Sequence, residues 1–283
     1  MKEIVLIFVT FSLVTAHVTR DWSKSIPARK IHPTGHRQLA FSESTRIVGG
    51  NEAPRNSLRY QVGVRLLYNG ATSFCGASLI SRRYVLTAAH CLADDDLVSL
   101  EVLLGAHNIS ATESTQQRIP TTTFKIHEKY NRQEIANDLA TVYLPTPANL
   151  NSNVQLIALP SRADVSNSFV GSQAVASGWG YNSQSVTVIS DVLRYVNVPI
   201  IANNVCRDSL GSYVTNSIIC TGGAGRKGVC PGDSGGPLVA SGKLVGVTSF
   251  ASGSGCEAGN PSAYSRVTAY LDWIAANSDV VIS

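Results

Sequence analysis

Between Gln61 and Phe250 the chain keeps returning to one pattern, short β-branched and aromatic runs broken by turn residues. The runs are Gln61–Leu67, Tyr84–Ala88, Glu101–Leu104, Leu139–Leu144, Ala174–Ser177, Val192–Val198 and Leu244–Phe250. Stiff branched side chains suit a pleated surface, and the Gly and Asn between runs supply the reversals. The spacing predicts an all-β chain, either antiparallel barrels or a sandwich. With 283 residues, 44% of them hydrophobic and 15% charged, such a chain can bury a sizeable core. Only the end departs from the pattern: Thr268–Ala276 sets Tyr270, Leu271 and Ile274 on one helical face, which predicts a packing helix.

The N-terminus carries an address. Residues 4–16 are almost wholly apolar and end at Val14-Thr15-Ala16, the small residue that signal peptidase requires. A helix of that length rises about 20 Å, short of the roughly 30 Å hydrocarbon core, so a cleaved signal peptide is expected over 1–16. Secretion and no membrane association follow. Six cysteines then make sense as disulfides in an oxidising compartment, and the lack of Cys-x-x-Cys speaks against structural zinc. Residues 17–46 are polar and Pro/Gly-scattered and read as an extended pro-segment, ending at Arg46 just before Ile47-Val48-Gly49-Gly50. This segment has six Lys/Arg against two Asp/Glu, and therefore holds the entire net charge of +4. Residues 47–283 have 16 of each sign, so no basic face points to nucleic acid.

Three local signals carry chemistry. Gly232-Asp233-Ser234-Gly235-Gly236-Pro237 sets a serine among glycines, which lets backbone N–H groups converge on a substrate carbonyl. Such a hydroxyl needs a base, and Leu86-Thr87-Ala88-Ala89-His90-Cys91 offers an imidazole at a strand end. Asn137-Asp138-Leu139-Ala140 adds a carboxylate leading a strand, which alone would be an ordinary turn acid. His107 and His127 lack such context and are read as structural.

Together with Ile47-Val48-Gly49-Gly50 and Ser177-Gly178-Trp179-Gly180, these strings resemble the chymotrypsin/trypsin superfamily of serine proteases from Ile47 to about Asn277. The chain order His, Asp, Ser fits that family and not the subtilisin-like or α/β-hydrolase orders. The resemblance implies two antiparallel six-stranded β-barrels over 47–283, with the active site in the cleft between them. It assigns Ser234 as nucleophile, His90 as general base and Asp138 as the residue that orients it, with the N–H groups of Gly232 and Ser234 as oxyanion hole. It pairs Cys75 with Cys91, Cys206 with Cys220 and Cys230 with Cys256, whereas spacing alone leaves 15 pairings open. It also implies a zymogen, cut after Arg46 by a trypsin-like activator, in which the new α-ammonium of Ile47 pairs with Asp233. The expected partners are protein or peptide substrates, the activating protease and protein protease inhibitors. A monomer without cofactor or metal is expected, with no calcium because Ala106 stands where calcium-binding relatives have an acid.

In the family the residue six before the nucleophile floors the substrate pocket, and trypsin-like enzymes carry aspartate there. Here it is Gly228, with Ser249, Phe250, Ala251 and Ser262 at the other matching pocket positions. A Lys or Arg side chain would be buried there without a counter-charge, so apolar or aromatic residues are expected before the scissile bond. Elastase-like or broad collagenolytic specificity is the alternative, since Gly255-Cys256-Glu257-Ala258-Gly259 looks like arthropod collagenolytic proteases. The other is a non-catalytic binding homologue. Phe250 replaces the usual tryptophan, and Pro231 replaces a residue that normally lends its side chain to the cleft rim. Gly223–Gly228 matches a dinucleotide fingerprint but lies between cysteines without a parallel strand, and is read as a surface loop. Asp94-Asp95-Asp96 is read as a solvated loop, and Asn108 opens the chain's one N-x-S/T sequon, a candidate glycosylation site.

Overall fold

The computed structural model describes residues 49–183, 185 and 188–283. The expected signal peptide, the pro-segment, Arg46 and Ile47 lie outside the described residues. The first seven-stranded sheet contains β2 (Gln61–Tyr68), β3 (Ala71–Leu79), β4 (Tyr84–Thr87), β5 (Leu97–Leu104), β6 (Gln117–Thr121), β7 (Phe124–Ile126) and β8 (Ala140–Tyr143), in the order β6-β5-β2-β3-β4-β8-β7. The second contains β9 (Gln173–Gly178), β10 (Arg194–Ile201), β11 (Ile218–Thr221), β12 (Pro237–Ala240), β13 (Lys243–Ala251) and β14 (Ser262–Arg266), with β1 (Asn51–Glu52) appended to β10. These strands pair with one another antiparallel throughout.

The two-barrel expectation holds, with one difference in closure. The second sheet closes on itself as a six-strand ring, because β10 pairs with β9 as well as with β11. The first curls with β6 and β7 at its ends, and Pro120, which has no N–H to give, sits in β6 on that edge. Alternation along β2 puts Val62, Val64 and Leu66 inside the first barrel, with Leu100, Val102 and Leu104 of β5 beside them. Ala176, Val196, Val198, Leu238 and Val245 fill the second.

The C-terminal stripe is buried as expected, Tyr270, Leu271 and Ile274 joining the first barrel's core. The α-helix proper is shorter than the stripe, Leu271–Ala276, with a 3-10 turn ahead of it. A second helix, Asn203–Leu210, was not read from the sequence, and the Cys206–Cys220 disulfide ties it to β11. The other disulfides join Cys75 to Cys91 and Cys230 to Cys256, the pairs implied by the resemblance.

Where the barrels meet, small groups allow backbone to touch backbone. A Cβ on Gly76 would press on Gly236, and the Gly76 N–H donates to the Ser234 carbonyl at 2.7 Å. Nearby, the Ser177 hydroxyl of β9 donates to the buried Gln61 amide oxygen of β2 at 2.6 Å. Ser177→Ala should leave that oxygen desolvated and unpaired, at a cost of about 1–3 kcal/mol. Urea unfolding checks this: the midpoint should fall while the slope stays unchanged.

Candidate active site

His90 sits in a 3-10 turn (Ala89–Cys91) directly after β4, and the Cys75–Cys91 disulfide anchors that turn to β3. Asp138 lies two residues before β8, which pairs with β4, so the hydrogen-bonded ladder brings the two residues together. The carboxylate is 1% exposed. One oxygen accepts the His90 backbone N–H at 2.8 Å, and the other lies 2.8 Å from His90 Nδ1. From the second barrel, the Ser249 hydroxyl donates to that second oxygen at 2.5 Å, and the Ser265 hydroxyl donates to the Asp138 carbonyl at 2.7 Å.

These donors fix the electrostatics. Burial opposes ionisation of Asp138, but the His90 ring and the hydrogen bonds of His90 and Ser249 outweigh it and hold the carboxyl below its usual range. Burial likewise opposes the imidazolium, yet the charge and hydrogen bond of Asp138 raise His90 above its ordinary value. With Nδ1 held by a carboxylate, Nε2 is the atom left to take a proton from the cleft. No hydrogen bond joins it to Ser234 Oγ in this structure; such bonds tighten when substrate binds.

Ser234 follows a loop with left-handed backbone at Gly232 (φ 97°), and at this residue a Cβ would strike Ile189 and Gly180. Asp233, Gly235 and Gly236 spend their N–H groups on Cys230, Thr248 and Asp233. Gly232 and Ser234 donate theirs to no described residue. Two uncommitted N–H groups beside a hydroxyl can receive the negative oxygen of a tetrahedral intermediate. His90, Gly232 and Ser234 line one cavity of about 690 Å³, which runs past Pro231 and the Cys75–Cys91 disulfide along the outside of the first barrel.

The expected substrate-pocket residues lie elsewhere. Gly228 is buried against Ser262, whose Oγ a Cβ there would press at 3.0 Å, and Ala251 pairs with Ser262 across β13 and β14. The Phe250 ring is 7% exposed and packs edge-on against Tyr213. The Ser249 hydroxyl turns to Asp138. A register shift between Thr248 and Phe250 leaves Ser249 as the extra residue of a bulge, which re-aims its hydroxyl. Neither this role nor that of Ser265 was read from the sequence, where Ser249 stands only as a pocket position and Ser265 is not singled out.

Asp233 is equally buried, at 1%, but differently served. It accepts N–H groups from Gly180 at 2.7 Å and Cys230 at 3.0 Å, and faces no cation among the described residues. Burial pushes its carboxyl up to about 6. Gly178 and Gly180 enclose it so closely that a Cβ on either would run into the carboxylate.

The remaining candidates fall outside this centre. Asn108 is partly buried, and its amide oxygen accepts the N–H groups of Ser110 and Ala111. Its loop is organised by Glu113, which binds Arg55 at 2.6 Å and the N–H groups of His107 and Asn108. Against the cost of burial, those bonds hold the Glu113 carboxyl down at about 2. Asp94 pairs with Arg132 at 2.7 Å. Among the described residues, the cluster with metal-ligand spacing is Cys75, His90 and Cys91, whose two sulfurs are already joined.

Two antiparallel barrels with a serine, an imidazole and a buried carboxylate at their junction define a two-barrel serine peptidase. The trypsin family model matches residues 47–274, and the chain belongs to this family of serine endopeptidases, whose substrates are proteins and peptides. It is 46% identical to brachyurin from Leptuca pugilator, over 83% of this chain and 99% of that protein. It is 37% identical to chymotrypsin from Phaedon cochleariae, over 89% and 90% of the two chains. The solved structure of HL collagenase superposes with a TM-score of 0.76 at 34% identity, covering 83% of this chain and all of that one.

The raised His90 value sets a pH dependence. Attack on a substrate needs neutral imidazole, so kcat/KM should fall as pH drops through the His90 pKa, with a midpoint above about 6.5. Asp138→Asn removes the charge that raises it, so the midpoint should move to lower pH. The rate should drop by about four orders of magnitude, because the neutral amide favours the wrong tautomer.

Proposed function

We propose that the protein is a secreted serine endopeptidase, made as a zymogen and cutting after apolar or aromatic residues. The observation that carries this reading is the His90–Asp138 pair, anchored from both barrels, facing a cavity shared with Ser234 and the free N–H of Gly232. In the proposed reaction Ser234 Oγ attacks the scissile carbonyl while His90 Nε2 takes its proton. The oxyanion is held by the N–H groups of Gly232 and Ser234, and each such donor lowers the barrier by about 3–4 kcal/mol. The amine leaves with the proton from His90, and water repeats the sequence on the acyl-enzyme. Asp138 stays ionised, holds the tautomer and stabilises the imidazolium.

The absence of a carboxylate at Gly228 supports apolar specificity, since a buried guanidinium or ammonium there would go unpaired. Similarity to brachyurin and to HL collagenase supports a broader, collagenolytic range as the second reading. Among the described residues no helix is long and apolar enough to cross a membrane. After activation, a fluorophosphonate should label Ser234, and chromogenic peptides ending in Phe or Leu should be cut far faster than those ending in Arg. A preference for Arg would overturn the specificity, and no label on Ser234 would overturn catalysis.

Activation is proposed to proceed by cleavage after Arg46 and pairing of the Ile47 α-ammonium with Asp233. Arg46→Gln should then resist activation by trypsin. The pair should also fail at alkaline pH, as the α-ammonium, held above its free value of about 8, loses its proton. Before cleavage Asp233 weakens the fold. Its folded pKa of about 6 exceeds the ordinary 3.8, so stability falls as pH rises through that window, and the full penalty is present above it. Asp233→Asn in the uncleaved protein should match wild type near pH 4 and exceed it by up to about 3 kcal/mol at pH 8, read from urea midpoints.

A further inference from the structure

The cavity at the nucleophile extends away from the expected Gly228 pocket, onto the side where the leaving half of a substrate would lie. Its far wall carries two guanidinium groups, Arg65 of β2 and Arg118 of β6. Both reach the same carboxylate: Arg65 lies 2.7 Å from Glu101 and Arg118 lies 3.6 Å from it. Arg65 also donates to the Ile109 carbonyl at 3.0 Å, and Arg118 donates to the Gln116 amide oxygen at 2.8 Å. The groups are thus fixed in place, each about a third exposed, with two positive charges against one negative. Across the cavity, Asp94 is occupied by Arg132 and does not reach them.

Sheet register says how far this charge lies from the chemistry. The Gly76 N–H holds the Ser234 carbonyl, so β3 touches the nucleophile loop at that residue. Phe74, two residues back, is the cross-strand partner of Arg65, which in turn is the partner of Glu101 on β5. Arg65 is thus two residues along and one strand across from Gly76, and Arg118 of β6, level with Gly76 through Gly63 and Leu103, is three strands across. These offsets amount to roughly 8 Å and 14 Å, or two to four residues of extended peptide. We propose that Arg65 and Arg118 form a carboxylate-selecting subsite, which favours substrates with Asp or Glu two to four residues beyond the scissile bond. This rests on the endopeptidase reading above and adds a requirement on the leaving side of the substrate.

The test uses the activated full chain, with active sites titrated by fluorophosphonate. Quenched-fluorescent peptides share the bond the enzyme cuts best and differ only in carrying Glu, Gln or Lys at each of the second to fourth positions after it. At one of those positions Glu should exceed Lys in kcat/KM by about 3–10-fold, with Gln between. The ratio should shrink toward one in 1 M salt, where charges are screened within about 3 Å. Arg118→Gln should lower the ratio and Arg118→Glu should invert it. Arg118 is a surface residue on an edge strand, so these variants should keep the fold. Equal cleavage of Glu and Lys peptides by wild type, or an unchanged ratio in Arg118→Glu, would overturn the subsite. Failure to cut any of the peptides would instead overturn the endopeptidase reading beneath it.

Discussion

A single buried carboxylate organises the molecule. Asp138 has almost no contact with water, and an ionised carboxyl so placed would cost several kcal/mol without partners. It obtains them from both halves: two N–H groups of His90 in the first barrel, and the hydroxyls of Ser249 and Ser265 reaching the residue from the second. Removing either barrel would strip donors from the charge. The interaction that prepares the imidazole is therefore also one that holds the barrels together, and the cleft geometry inherits the rigidity of two packed cores.

Asp233 presents the same physics with the opposite outcome. Two backbone N–H groups leave its carboxyl raised rather than lowered, because nothing described around it carries positive charge. The glycines at 178 and 180 leave no room for a neutral side chain to fill the space about it. Such a group stores a penalty that any arriving cation can relieve. It lies one residue from Ser234 and directly follows Gly232, so in the proposed activation relief of that penalty and ordering of the oxyanion donors would be one event. A device of this kind needs no contact with substrate to control the rate.

The site was far more legible in the sequence than the scaffold that aims it. Gly232–Pro237 and Leu86–Cys91 are strings whose chemistry leaves few substitutes, and they locate the centre without any knowledge of strands. Of the strands, β2, β4, β5, β8, β9, β10 and β13 were read from their β-branched runs, and β3 was among those that were not. Its sequence Ala71-Thr-Ser-Phe-Cys-Gly-Ala-Ser-Leu79 looks like a turn because small residues are needed where Gly76 meets Gly236 and the Ser234 carbonyl. The feature that hid the strand is thus the contact that makes it functional. The role of Ser249 was hidden for another reason. Alternation predicts which face a strand residue takes, and a bulge breaks alternation at that one residue.

Charge placement follows the same division between local and global. The net charge of +4 belongs wholly to residues 17–46, and residues 47–283 balance 16 positive against 16 negative groups. A domain so balanced has little long-range field with which to draw in a charged substrate. Whatever electrostatic selectivity it has must come from imbalances within about a Debye length, roughly 8 Å at physiological salt. Several of its charges are paired one to one, as Arg55 is with Glu113 and Arg132 with Asp94. Two arginines sharing Glu101 differ from these, and they do so inside the cavity that Ser234 lines rather than on a remote face. Near-neutrality overall makes a local excess more discriminating, because no background field attracts the wrong peptide equally well.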